Sequence, residues 1–352
     1  MADAFDDVRR ILARALTQAD PARALAVALA RIEPDGSERA WLQGSDGPGG
    51  PPVGDAALRF RVASVTKMAT ARTVLDVLPP DAPVPAIPGA SVSHLLSHTA
   101  GLSDEAGYVV EPPGDPFALI RKARTGTRPG AFFRYCNLGY VLAANMAEHV
   151  TGEGFDVLMR RHVLDPARIG GGPNWAGVPN RAARLALWQW DGDRYARQVD
   201  GPGGDWDADS IWRDGEGRSL ASWKPGQAAW FSPQGGLRLN VIEMARLVRM
   251  VAVDDRMARP AWRFDGRNGM DGGGLFRAVG QGLTLYDGHP ELPGLLVGHA
   301  GHALGFTGGA WHKPDGTCWA YAILGGPDLT DGMGDEVFYR GIEREVMVAI
   351  AR

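Results

Sequence analysis

Apolar positions recur along the chain with two different periods, and the changes of period mark its parts. Over 6–17, Val8, Ile11, Leu12 and Leu16 fall at helical spacing, predicting an amphipathic opening helix that covers a sheet. Residues 24–32 and 38–43, the latter around Trp41, read as strands, and Pro34-Asp35-Gly36 between them predicts a hairpin. A Gly- and Pro-rich loop at 44–54 precedes Phe60-Arg61-Val62-Ala63 and a helix from Ser64 to Leu78, which Pro79-Pro80 ends. Ser91 caps a short helix through Leu95 and Leu96, with Gly101 as its stop. Leu138, Val141, Leu142 and Met146 predict a helix over 137–150 that Gly152 closes, and another follows over 155–164.

Between about 170 and 230 the period fails in Gly-, Asp- and Trp-rich sequence, longer than an ordinary connection. Its part at 191–216 carries Asp191, Asp193, Asp200, Asp205, Asp207, Asp209, Asp214 and Glu216, with Trp206 and Trp212 inside and Trp188 and Trp190 just before. We read it as a solvated loop with its aromatics tucked beneath; folded over a site, it would instead favour a cationic or amphipathic substrate. Order returns at Asn240, which with Glu243 forms a capping-box pair ahead of Ile242, Ala245, Leu247 and Val248. Strand alternation follows over 279–286, 294–299, 304–312 and 317–325, with Pro314-Asp315-Gly316 as a turn, and a final helix runs from about 335 to 351. Strands and a helix at each end around a helical middle predict an α/β (α+β) fold. In it an antiparallel sheet flanked by helices is interrupted by an all-α insertion. Residues 1–90 and 230–352 form the sheet domain, and 91–229 the mainly helical insertion.

Composition narrows the function classes. No stretch approaches the ~20 apolar residues that span a bilayer, which excludes a membrane helix. A net charge of −4 without a Lys/Arg cluster argues against a nucleic-acid surface and for a small-molecule or short-peptide substrate. The start Met1-Ala-Asp-Ala-Phe lacks a secretory pattern, so a cytoplasmic location is expected. Cys136 and Cys318 give neither a disulfide framework nor metal-ligand spacing, and no cofactor is implied.

Three short segments could carry chemistry. In Ser64-Val65-Thr66-Lys67, residues three apart on a helix share a face, so the hydroxyl and the amine meet. Apolar Val65, Met68 and Ala69 around Lys67 disfavour its ammonium form, and helix N-terminal amides near Ser64 suit a developing oxyanion. Alone, this pattern is also that of a capping Ser and a snorkelling Lys. Tyr135-Cys136-Asn137 places a phenol that can share a proton beside an amide that can hold a carbonyl. His299-Ala300-Gly301-His302 ends an apolar strand, where Gly301 admits a substrate backbone. Two histidines three apart on a strand do not share a face, so zinc is not expected.

Taken in order, S-V-T-K, Y-C-N and H-A-G resemble the serine β-lactamase, D-peptidase and esterase superfamily, in particular its class C-like branch. The resemblance extends to Leu95-Leu96-Ser97-His98-Thr99-Ala100-Gly101-Leu102, Asn137-Leu138-Gly139-Tyr140 and Ser232-Pro233-Gln234-Gly235-Gly236-Leu237. It implies that Ser64 is acylated while Lys67 and Tyr135 share the acid and base work. It also implies that Asn137 holds the acyl side, and that the amides of Ser64 and His302 form the oxyanion hole. The chain departs where β-lactamases and D-peptidases of this branch carry Lys-Thr-Gly. Ala300 lacks a hydroxyl, and neutral His299 offers one donor where an ammonium offers three. Recognition of a substrate carboxylate is thereby put in doubt. The expected activity is hydrolysis of esters or amides, including those of D-amino acids. Acyl transfer or peptide cyclisation, β-lactam or D-Ala hydrolysis, and a non-catalytic acyl sensor are the alternatives.

Overall fold

The computed structural model describes residues 3–17, 23–108, 115–173, 175, 178, 180–198, 232–326, 339 and 341–352. Most of the acidic, Trp-containing segment discussed above, from 199 to 231, and the predicted helix start at 335–338 lie outside them. Among the described residues no helix is long and apolar enough to cross a membrane.

The centre is a nine-stranded antiparallel sheet: β1 (Ala26–Ile32), β2 (Glu38–Ser45), β3 (Pro52–Val53), β4 (Trp262–Arg263), β5 (Ala278–Val279), β6 (Thr284–Tyr286), β7 (Leu296–Ala303), β8 (Phe306–His312) and β9 (Cys318–Leu324). Their spatial order is β3-β2-β1-β9-β8-β7-β6-β5-β4, so the two ends of the chain zip together at β1 and β9, Ala26 opposite Leu324 and Ile32 opposite Cys318. The period of two assigns the faces. On β1 and β9, Val27, Leu29, Trp319 and Tyr321 meet α1 (Ala4–Ala13) and the C-terminal helix, through Phe5, Val8, Leu12, Val346, Met347 and Ile350. The small residues Ala28, Ala30, Ala320 and Ala322 face the other way, toward Met244, Leu247 and Val248. Large side chains thus pack under one helical layer, while alanines let the other layer approach closely. A one-residue slip would exchange the two sets.

That second layer holds α2 (Thr66–Val77), α3 (Asn137–Thr151) and α4 (Val241–Val251); the C-terminal helix is α5 (Gly341–Ala351). The predicted capping box opens α4: the Asn240 side chain accepts from the Glu243 amide at 2.9 Å and Glu243 accepts from the Asn240 amide at 3.0 Å. A small sheet of Phe60–Arg61, Leu237–Leu239 and Gly172–Pro173 joins the approach to α2 with the Ser232–Leu237 segment.

Several boundaries differ from those the sequence predicts. The opening helix ends at Ala13 and continues as a 3-10 turn to Leu16, and 155–164 divides into an α-helical and a π-helical turn. The expected strand 279–286 is two strands, because Gly282 at φ +72° and its neighbours turn the chain between them. The helix after Ser91 ends at Leu96, and His98, not Gly101, takes the first left-handed conformation, at φ +59°. β7 runs on past His299 to Ala303, so the whole H-A-G-H run is strand.

Candidate active site

Ser64 sits one 3-10 turn ahead of α2, between Ala63 and Val65. Ala63 has φ +44°, a strained conformation for a residue with a Cβ, of the kind that clusters at functional sites. Lys67, one turn further on, is completely buried and extends its ammonium back to the serine. Its Nζ lies 2.9 Å from Ser64 Oγ, 2.7 Å from Asn137 Oδ1 and 2.8 Å from the Gln234 carbonyl. Burial lowers the Lys67 pKa from about 10.5 to about 7, against the opposing pull of the Asp104 charge. A group at that value exchanges protons readily near neutrality, as a general base must.

The Ser232–Leu237 segment is tied to the same helix face. Thr66 Oγ1 accepts from the Leu237 amide at 3.0 Å, and Thr70 Oγ1 donates to the Pro233 carbonyl at 2.6 Å. These two bonds flank Lys67 and fix the Gln234 carbonyl that accepts from it.

Tyr135 completes the approach to the serine. Lys67 Nζ lies 4.9 Å from its ring centroid, which sets the phenol beside the Ser64–Lys67 pair. Burial pushes the phenol well above its ordinary range, so it stays protonated at neutral pH. Its ring stacks on His98 with centroids 4.3 Å apart and on Phe276 at 5.3 Å.

Asn137 begins α3 but does not face the site as a free amide. Its Oδ1 accepts from Lys67, while its Nδ2 donates to Asp104 at 2.9 Å. Asn137 thereby links Lys67 to Asp104 and orients the amine, and these two bonds use only one of the two Nδ2 protons. Asp104 also accepts from the Asn137 and Leu138 amides at 2.8 and 3.0 Å and from Cys136 Sγ at 3.3 Å. A carboxylate there satisfies the helix-start amides and suits the positive end of the helix dipole. Sequence reasoning missed Asp104, because no local pattern links it to a helix that begins 33 residues later.

The third segment lines the opposite wall. A Cβ on Gly301 would stand 2.8 Å from the Val62 carbonyl and 3.2 Å from the Ser64 amide nitrogen, so β7 passes against the serine with no room for a side chain. His299 is buried, 6.3 Å from Tyr135 between ring centroids, and burial with Lys67 nearby depresses its pKa to about 3. It is a neutral imidazole at any ordinary pH. His302 points to the other face, where its Nε2 lies 2.9 Å from both oxygens of Glu343 on α5. The two histidines do not converge, and no group of metal ligands occurs among the described residues.

A hydroxyl beside a buried amine, with a protonated phenol and a closely packed strand around them, is an arrangement that can activate a serine as a nucleophile. The chain belongs to the Beta-lactamase family, whose model matches residues 13–324. No curated protein matches it. Among solved structures it is similar to the D-amino acid amidase from Ochrobactrum anthropi SV3 complexed with D-phenylalanine, at 19% identity and a TM-score of 0.70, covering 99% of each chain. A penicillin-binding protein from Bacillus halodurans is 16% identical, with a TM-score of 0.66 and 99% of each chain covered. The octameric penicillin-binding protein homologue from Pyrococcus abyssi is 18% identical, with a TM-score of 0.65 over 91% of this chain and 73% of that one. These likenesses are of fold.

Proposed function

We propose that this protein is a serine hydrolase acting on carboxylic esters or amides, those of D-amino acids included, through an acyl-enzyme on Ser64. The observation that carries the reading is Lys67: a completely buried amine 2.9 Å from Ser64 Oγ whose pKa is brought down to about 7. In its neutral form Lys67 accepts the hydroxyl proton as Ser64 Oγ bonds to the substrate carbonyl carbon. The oxyanion collects against the Ser64 amide, with the His302 amide as second donor. Tyr135 hands a proton to the departing alcohol or amine as the C–O or C–N bond breaks, and Lys67 returns one to the phenol. Water then repeats the sequence on the ester, releasing acid and free Ser64.

His299 bears on the substrate class. Its neutral ring offers no positive charge to a carboxylate, which disfavours β-lactams and D-Ala peptides relative to neutral esters and amides. The amidase likeness agrees with that preference. A panel of p-nitrophenyl esters, L- and D-amino-acid amides and a chromogenic cephalosporin, run on wild type and Ser64→Ala, tests it. Ester or amide turnover that Ser64→Ala abolishes is expected. No turnover by wild type, or equal turnover by both, overturns it.

A further inference from the structure

Behind Tyr135, two buried histidines from different segments face one small cavity. His98, after the short helix Val92–Leu96, and His299 on β7 line it, together with Thr284, Tyr140, Phe276 and Leu283. It leaves about 10 Å³ for the centre of a water-sized sphere, close to the ~10–15 Å³ that one water requires by this measure.

The protons on both rings follow from their partners. The Cys136 amide can only donate, and it does so to His98 Nδ1 at 3.0 Å. The Cys136 carbonyl lies slightly further from the same nitrogen, at 3.2 Å, and a proton on Nδ1 would also be set against the N–H of Cys136, which has no acceptor capacity. His98 Nδ1 is therefore the acceptor, and its one proton is on Nε2. In His299 the order is reversed. Nδ1 lies against the Ala300 carbonyl, which can only accept, so Nδ1 carries the proton and Nε2 a lone pair. Burial keeps both rings neutral. One donor and one acceptor thus share the cavity. The other polar groups nearby are mostly engaged: Tyr140 donates to the Leu96 carbonyl at 2.7 Å, and the Gly280 and Gly282 amides donate to Leu283 and Leu96.

We propose that this cavity is a binding site for one water, which accepts from His98 Nε2–H and donates to His299 Nε2, with Thr284 as a third partner. The bridge makes a continuous row from the Cys136 amide through His98, the water and His299 to the Ala300 carbonyl. It joins the segment carrying Tyr135 and Asn137 to the strand that passes Ser64. Every group in the row has a fixed direction, so it moves no proton to Tyr135. Both histidines are positioning residues. His98 holds the phenol by stacking, and its strained φ of +59° is the conformation that brings the ring there.

The tautomers do not depend on the reaction, whereas the effect on turnover rests on the acyl-enzyme reading, so the two can fail separately. Long-range proton–nitrogen NMR of the histidine-labelled full chain at pH 7.5, assigned with His98→Gln and His299→Gln, should show His98 protonated at Nε2 and His299 at Nδ1. A crystal structure should place one water within hydrogen-bond distance of both Nε2 atoms. His98→Phe, which keeps the stacking ring but removes both ring nitrogens, should lower kcat about tenfold with KM within about twofold. His299 protonated at Nε2, a cavity without water density, or a His98→Phe enzyme with wild-type kcat overturns the proposal.

Discussion

Asp104 offers a sharp perturbation, because a single carboxylate serves both the start of α3 and the site. It accepts from two helix-start amides and from Asn137 Nδ2, all within 3.0 Å. Replacing a capping oxygen by Ala costs about 0.5–2 kcal/mol. The bond from Asn137 Nδ2 to a charged acceptor is worth about 1.5–3 kcal/mol more. Asp104 is partly exposed, which discounts both figures, so urea denaturation of Asp104→Ala should show a loss of about 2–3 kcal/mol. Activity should respond in two ways. Freed from Asp104, Asn137 no longer holds Lys67 in one orientation, and kcat should fall about ten- to a hundredfold. The negative charge of Asp104 also raises the Lys67 pKa, so its removal lets the ammonium lose its proton at lower pH. The acid limb of kcat/KM, near pH 7 in wild type, should move down in the variant. A limb that moves up, or a stability loss under about 0.5 kcal/mol, would refute the role given to Asp104.

Lys67→Met should abolish turnover and stabilise the fold. In wild type a buried amine with a pKa of about 7 must be charged below that value, whereas the unfolded chain keeps its proton to about 10.5. The stability gained by the variant should therefore be largest below pH 7 and shrink between pH 7 and 10; a pH-independent difference would contradict this. Gly301→Ala brings a methyl group to 3.2 Å from the Ser64 nitrogen, and kcat should fall about a hundredfold or more, while unchanged kcat would show that the carbonyl oxygen sits elsewhere. His299, neutral down to about pH 3, should contribute no inflection between pH 5 and 8. His299→Gln should leave the acid limb in place, and a limb that disappears would assign that titration to the histidine.

The sheet was legible where one face differs strongly from the other. On β1 and β9 the alternation of alanines with large side chains identifies two covered faces without reference to any partner. The turn at Gly280-Gln281-Gly282 was hidden because it falls inside a run whose flanks both alternate as strand, and the sheet was illegible where a strand is two residues long, as at Pro52–Val53 and Trp262–Arg263. Lys67 and Ser64 could be paired from their spacing on a helix, and the burial of Lys67 from its apolar neighbours. Asp104 and the Gln234 carbonyl could not be found that way. Each reaches the site across more than thirty residues of chain, and the backbone carbonyl has no signature in residue type. Asn137 was identified as a site residue, but its bonds to Lys67 and Asp104 were not, since sequence shows an amide near a serine and not which groups its two ends meet.

The central claim is that Ser64 is acylated with Lys67 as its base. Rapid-quench mass spectrometry of the intact protein with a p-nitrophenyl ester measures that adduct directly, with peptide mapping and with Ser64→Ala and Lys67→Met in parallel. An acyl increment on the peptide bearing Ser64, formed and lost at the turnover rate in wild type and missing in both variants, is the predicted result. Turnover without an adduct on Ser64, or an adduct that forms equally fast in Lys67→Met, would contradict it.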